Sequence, residues 1–126
     1  MRIAVTSEGL EVSQSFGRCA SYMCYTVDRG VIVECQNMPN PNLSMEKLIP
    51  LLRDLGVTVL IVGAIDYDTA NVFCCADIEV IAGAQGSARE VVQAYLTHTL
   101  TGVDELCHNG EDWGREDGLQ QSYAEA

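Results

Sequence analysis

The chain has 126 residues, about one domain's worth, with 48% of them hydrophobic and a formal charge of -11. An acidic balance of that size argues against nucleic acid, whose phosphates want clustered Lys and Arg. No apolar run reaches the ~18 residues a membrane span needs and no signal-peptide pattern is visible, so the expected setting is cytoplasmic.

Arg2-Ile3-Ala4-Val5-Thr6 predicts a short apolar strand, and residues 7–19 a polar Ser/Gly/Glu loop. Ser21–Val27 and Val31–Cys35 read as two strands joined by Asp28-Arg29-Gly30, a compact turn whose glycine accepts positive φ. Residues 37–42, broken by Pro39 and Pro41, are a loop. Ser44 then suits a helix N-cap, with Leu48, Leu51, Leu52 and Leu55 on one face and Gly56 as the stop. Pro50 removes one backbone bond inside that helix and is expected to kink it or delay its regular part.

Val57–Val62 is a continuous apolar, β-branched run ending at Gly63, as a central strand covered on both faces requires. Asp66-Tyr67-Asp68-Thr69 can cap a helix running to about Cys75, and Ile78–Ile81 predicts another short strand. Ser87-Ala88-Arg89-Glu90 fits a capping box and opens a helix through about Leu100. The order β-β-β-α-β-α-β-α predicts one α/β domain over residues 1–103, with a five-stranded, mostly parallel mixed sheet and helices on both faces. Residues 104–126 carry seven acids against Arg115 alone and are expected to form a mobile tail. Such a block usually serves as a solubilising segment, with docking to a partner as its other use.

The six cysteines (Cys19, Cys24, Cys35, Cys74, Cys75 and Cys107) contain no C-x-x-C and match neither a zinc-ribbon nor a ferredoxin spacing. A chain able to bury its own core has little need of staples, so all six are read as reduced thiols in an anaerobic or well-reduced cytosol. Cys24 and Cys35 lie within strand patterns and read as core. Cys74 and Cys75 would point about 100° apart on a helix, which disfavours joint chelation and leaves core packing for at least one of them.

Chemistry concentrates in Ser13-Gln14-Ser15-Phe16-Gly17-Arg18-Cys19, a loop at the end of the first strand. Arg18 offers a clamp for a sulfide or oxo anion, the plain alternative being a surface ion pair. Gly17 gives backbone freedom on either reading, and Phe16 reads first as a core anchor for the loop. Cys19 is a thiolate ligand or a small apolar residue starting a strand. Gly83-Ala84-Gln85-Gly86-Ser87 leads from a strand end into a capped helix, either an anion site or an ordinary tight connection. Cys107 and His108 place two soft-metal donors side by side after the last helix, where an untethered chain end is the plain reading. His98 reads as a surface or packed helix residue.

Ile3-Ala4-Val5, then Ser15-Phe16-Gly17-Arg18, then Gly56-Val57 leading to Gly63, then Gly86-Ser87-Ala88-Arg89-Glu90 together resemble the dinitrogenase iron-molybdenum cofactor family. That group includes NifX, NafY and the C-terminal part of NifB, and the resemblance covers roughly residues 1–103. It implies a ribonuclease-H-like three-layer α/β/α domain that binds or carries an iron- or molybdenum-containing metal–sulfur cluster. Its partners would be the cluster itself and cofactor-assembly or acceptor proteins. The residues expected to bind the cofactor are Ser15, Phe16, Gly17, Arg18, Gly83, Gly86 and Ser87, and the candidate metal donors are Cys19, Cys107 and His108. Two departures stand out. Ser15 occupies the place where members commonly carry histidine, so Cys19 becomes the substitute donor. Asp66-Tyr67-Asp68 replaces a Gly-rich helix start, and its carboxylates would repel an anionic cluster and shift the site toward the first loop and last helix.

A ribonuclease-H-like nuclease needs several carboxylates converging on divalent metals, whereas the first strand ends in Thr6 and Ser7. No Ser-His-Asp pattern or P-loop is present either. The expected function is therefore a non-catalytic carrier or assembly protein. A metal-free regulatory or protein-interaction module on the same fold is the alternative.

Overall fold

A computed structural model describes residues 1–16 and 18–107. The first strand, β1 (Arg2–Glu8), is buried continuously from Ile3 to Ser7, which places it inside the sheet with both faces covered. A two-residue strand, β2 (Glu11–Val12), folds back on it, and β3 (Ser21–Asp28) pairs along its other side in antiparallel register. β3 continues into β4 (Val31–Pro39) through a two-residue turn. Arg29 and Gly30 both take positive φ there, 54° and 79°, the requirement of the turn that matches strand twist.

Helix α1 (Met45–Asp54) then crosses to β5 (Val57–Ile61), α2 (Tyr67–Cys75) to β6 (Glu79–Ala82), and α3 (Ala88–Leu96) to β7 (Asp104–Glu105). The sheet order is β4-β3-β1-β5-β6-β7, with β2 attached to β1 alone. β1, β5 and β6 run parallel, while β3, β4 and β7 are antiparallel to their neighbours.

Strand alternation divides the core between the two faces. Ala4, Leu60, Val62 and Val80 pack with Leu48 and Leu52 of α1 and with Ala70 and Phe73 of α2. Ile3, Val5, Val59, Ile61 and Ile81 pack with Ala88, Val91 and Val92 of α3. The result is a mixed sheet between two helical layers, as expected. Pro50 is accommodated within α1, whose Leu48 and Leu52 reach the core on either side of it.

Two expectations are corrected. The sheet has seven strands among the described residues, not five, because β2 and β7 are two-residue pairings too short to leave a periodicity. Nor is the sheet mostly parallel, since among the described residues only the β1–β5 and β5–β6 pairings are parallel and the rest are antiparallel. Past residue 103 the chain stays attached to the sheet. Asp104 and Glu105 pair with β6, the Leu106 amide donates to the Val80 carbonyl at 2.9 Å, and Leu106 and Cys107 pack on the core. The acidic tail expected beyond this point lies outside the described residues, apart from Asp104 to Cys107. None of the described helices is long and apolar enough to cross a membrane.

Candidate functional site

Three turns leave the carboxyl ends of the parallel strands β1, β5 and β6, the edge where open α/β sheets gather ligand chemistry. The first is the polar loop after β1. One carboxylate oxygen of Glu8 accepts from the Ser13 hydroxyl at 3.1 Å and from the Ala20 amide at 2.9 Å, so both ends of the loop are tied to a single group. The Ser13 hydroxyl oxygen in turn accepts from the Ser15 amide at 3.2 Å. Asn40, in the loop after β4, donates its side-chain amide to the Cys19 carbonyl at 2.9 Å.

The second turn, Gly63 to Asp66, lies directly under the first. The Gly63 amide donates to the Ser13 carbonyl at 3.2 Å, and the Gly63 carbonyl accepts from the Gly83 amide at 2.8 Å. A Cβ on residue 63 would fall 2.6 Å from that Ser13 oxygen and 2.8 Å from the Gln14 Cα, so only glycine allows the approach. Gln14 reaches on to the third turn, its side-chain amide donating to the Ala84 carbonyl at 3.4 Å.

Between the first two turns opens a cleft of about 450 Å³ lined by Gln14, Ser15, Phe16, Arg18, Ala64, Ile65 and Asp66. Phe16 forms one wall and meets Phe73 of α2 edge to face, ring centres 5.5 Å apart at 87°. Phe73 is fully buried, so this contact fastens the loop to the core. Arg18 is the cleft's guanidinium and Asp66 its carboxylate. Asp66 caps α2, accepting from the Thr69 hydroxyl at 2.7 Å and the Thr69 amide at 3.1 Å. Those hydrogen bonds, the hydroxyl's first, hold its carboxyl below the usual range and keep it ionised.

Ser15, Phe16 and Arg18 therefore meet in one place, while Gly17 lies outside the described residues. The Gly83–Ser87 turn belongs to the same sheet edge but is joined to β2 instead of lining the cleft. The Val12 amide donates to the Gly86 carbonyl at 2.8 Å, Glu11 bridges Ser87, and the Ala88 amide donates to the Leu10 carbonyl at 2.9 Å. Ser87 caps α3 by accepting from the Glu90 amide at 3.3 Å. The first-turn amides of Ala88 and Glu90 thus already have partners within the chain.

Cys19 is 3% exposed and sits in the core against Tyr22, whose hydroxyl is pushed up by burial first and by the neighbouring thiol second. Cys107 needs a correction: it is joined by a disulfide to Cys74 across 33 residues, so it presents no thiolate to a metal, and the expectation of six reduced thiols fails with it. Only the fold brings the end of α2 beside the segment after β7; no local spacing announced that pairing. His108 lies outside the described residues. Cys75 and Cys35 are exposed and Cys24 buried, so the core reading holds for Cys24 and not for Cys35. Among the described residues, no group of three or more His, Cys, Asp or Glu stands ready to hold a metal ion.

Sequence reasoning missed Glu8 and Asn40, and it placed Gln14 in the loop without giving it a role. Glu8 was the findable one, being the only acid at the end of the first strand.

Residues 1–98 match the sequence model of the family described as dinitrogenase iron-molybdenum cofactor. Among solved structures, the chain resembles PH0822 at 19% identity and a TM-score of 0.71, covering 90% of this chain and 96% of that one. The apo form of the orange protein from Desulfovibrio gigas aligns at 26% identity and a TM-score of 0.63, covering 82% and 96%. A NifB-like protein from Thermotoga aligns at 22% identity and a TM-score of 0.59, covering 86% and 95%. No curated protein matches the chain.

Proposed function

Because the chain belongs to the dinitrogenase iron-molybdenum cofactor family, we propose that it carries a preformed, anionic iron- or molybdenum-containing metal–sulfur cluster as cargo and catalyses no reaction on it. The observation that carries this reading is the cleft itself. The loop residues that mark the family resemblance, Ser15, Phe16 and Arg18, line a space of about 450 Å³ at the carboxyl ends of the parallel strands. Arg18 would neutralise the cargo's charge, Gln14 and Ser15 would offer hydrogen-bond donors, and Phe16 and Ile65 would exclude water from one side. Cluster-assembly or acceptor proteins of the cytoplasm are the partners this role calls for. Gly83, Gly86, Ser87 and Cys19 would then act as the frame behind the cleft, holding its turns in place.

The test is anaerobic incubation of the full chain with iron, molybdate and sulfide, followed by desalting, metal analysis and a visible spectrum. Stoichiometric metal with charge-transfer bands is expected, and Arg18→Ala should reduce retention by at least about tenfold, the loss of one charge-assisted contact. A folded protein that retains no metal overturns the proposal.

A second reading is supported by Asp66. A carboxylate kept ionised inside the cleft opposes an anion there, as a metal-free regulatory or protein-interaction module on the same fold would tolerate.

A further inference from the structure

One pair of reactive groups lies outside the cleft and has no part in carrying cargo. Cys74 lies in the last turn of α2 and Cys107 follows β7, with Cα atoms 5.5 Å apart and both side chains half-buried. The segment they secure is a slight one. β7 is two exposed acids, Asp104 opposite Ala82 and Glu105 opposite Ile81. Beyond it, the Leu106 amide donates to the Val80 carbonyl at 2.9 Å, and the Val80 amide donates to the Cys107 sulfur at 3.2 Å. Val80 thus spends both of its backbone groups on this segment.

The segment also meets like charge. Glu79 on β6 stands near Glu105, and burial first, then Glu105, push its carboxyl above the usual range. Tyr95 of α3 completes the group, its hydroxyl pushed up by burial and then by both carboxylates. A two-residue pairing that brings two carboxylates together is a weak fastening for a chain segment, and the covalent bond supplies what the pairing lacks.

We infer that Cys74 and Cys107 form a reversible thiol–disulfide clasp, which holds residues 104–107 on the edge of β6 when oxidised and releases them when an external dithiol reduces it. The exchange balances in two steps. A thiolate of the dithiol attacks the Cys74 sulfur, the bond to Cys107 breaks, and Cys107 leaves as a thiolate steadied by the Val80 N–H. The second thiol of the dithiol, deprotonated, then attacks its own sulfur in the mixed disulfide and displaces Cys74. The dithiol ends as a cyclic disulfide, and two electrons and two protons rest on Cys74 and Cys107. Release leaves the Val80 N–H and C=O unpaired on an open sheet edge, the kind of edge to which another strand adds.

Amide hydrogen exchange of the full chain, oxidised and dithiol-reduced, tests this. The Val80 and Leu106 amides are expected to exchange at least about tenfold faster after reduction, a local opening, while Leu60 in β5 stays protected. Cys107→Ser should show the fast pattern in both conditions, and Cys75→Ser should behave as the parent. Should Cys107→Ser fail to fold, Cys74→Ser and the reduced parent chain give the same reading. Unchanged exchange on reduction would overturn the inference. So would six titratable thiols on denaturation without reductant, in protein first treated in its folded state with an oxidised dithiol.

Discussion

The Gly63 Cα lies beneath the Ser13 carbonyl so closely that a side chain there would have to enter the space the carbonyl oxygen fills. The two residues are also joined by the Gly63 amide bond, and Gly63 is joined in turn to Gly83. One residue therefore sets the height of all three turns at the carboxyl edge of the parallel strands. Gly63→Ala should push the first loop outward and cost roughly 1–3 kcal/mol, the usual penalty for forcing a methyl into filled space. Denaturant unfolding measures the loss, and a variant as stable as the parent would show that the loop yields freely.

Phe16 and Phe73 couple the loop to α2, so their contributions should not add. A double-mutant cycle on Phe16→Leu and Phe73→Leu is expected to return a coupling of about 1 kcal/mol, the value of a well-oriented ring pair. Coupling near zero would mean that Phe16 only lies against the helix.

Asp66→Asn removes a charge from the cleft while leaving a side chain that still caps α2. The variant should keep its thermal midpoint and retain more metal than the parent after anaerobic reconstitution. Less metal would show that the carboxylate belongs to the binding set.

Cys107→Ser opens a loop closed across 33 residues. On chain entropy the bond is worth roughly 3–4 kcal/mol, and the unfolding midpoint of the variant, or of the reduced parent, should fall accordingly. A change below about 1 kcal/mol would assign the bond little part in global stability.

Glu79 adds a pH signature. Its carboxyl is held above the ordinary 4.5, so the folded chain binds that proton more tightly than the unfolded chain. Its stabilising contribution is complete below 4.5 and is lost as pH rises through the raised folded value. Glu79→Gln should therefore be more stable than the parent at neutral pH and lose the difference in acid. Urea midpoints from about pH 4 to 7 follow it.

The legible parts of this chain were those written in runs. Val57–Ile61 declared a central strand by its run of apolar and β-branched residues, and Ser87 with Glu90 declared a helix start. The loop at Ser15, Phe16 and Arg18 stood out as a candidate because glycine, arginine and polar residues at a strand end have few structural uses, and its residues do line one cleft. The facing wall was not, since Ala64 and Ile65 are ordinary residues made significant only by where β5 ends. Cys19 carried the right chemistry in the wrong direction: the start of β3 turns it into the core. Cys74 and Cys107 depended on a meeting across the fold that neither neighbourhood encodes.

Glu8 closes residues 13–20 into a ring on one carboxylate, so the two strands that flank the loop are clamped independently of what lies between them. The stretch between those ends hangs on a constant mount and is tied to the core at Phe16 and Cys19. Descendants of such a chain can lengthen, shorten or rewrite that stretch, and so change what it grips, without renegotiating the registers of β1 and β3.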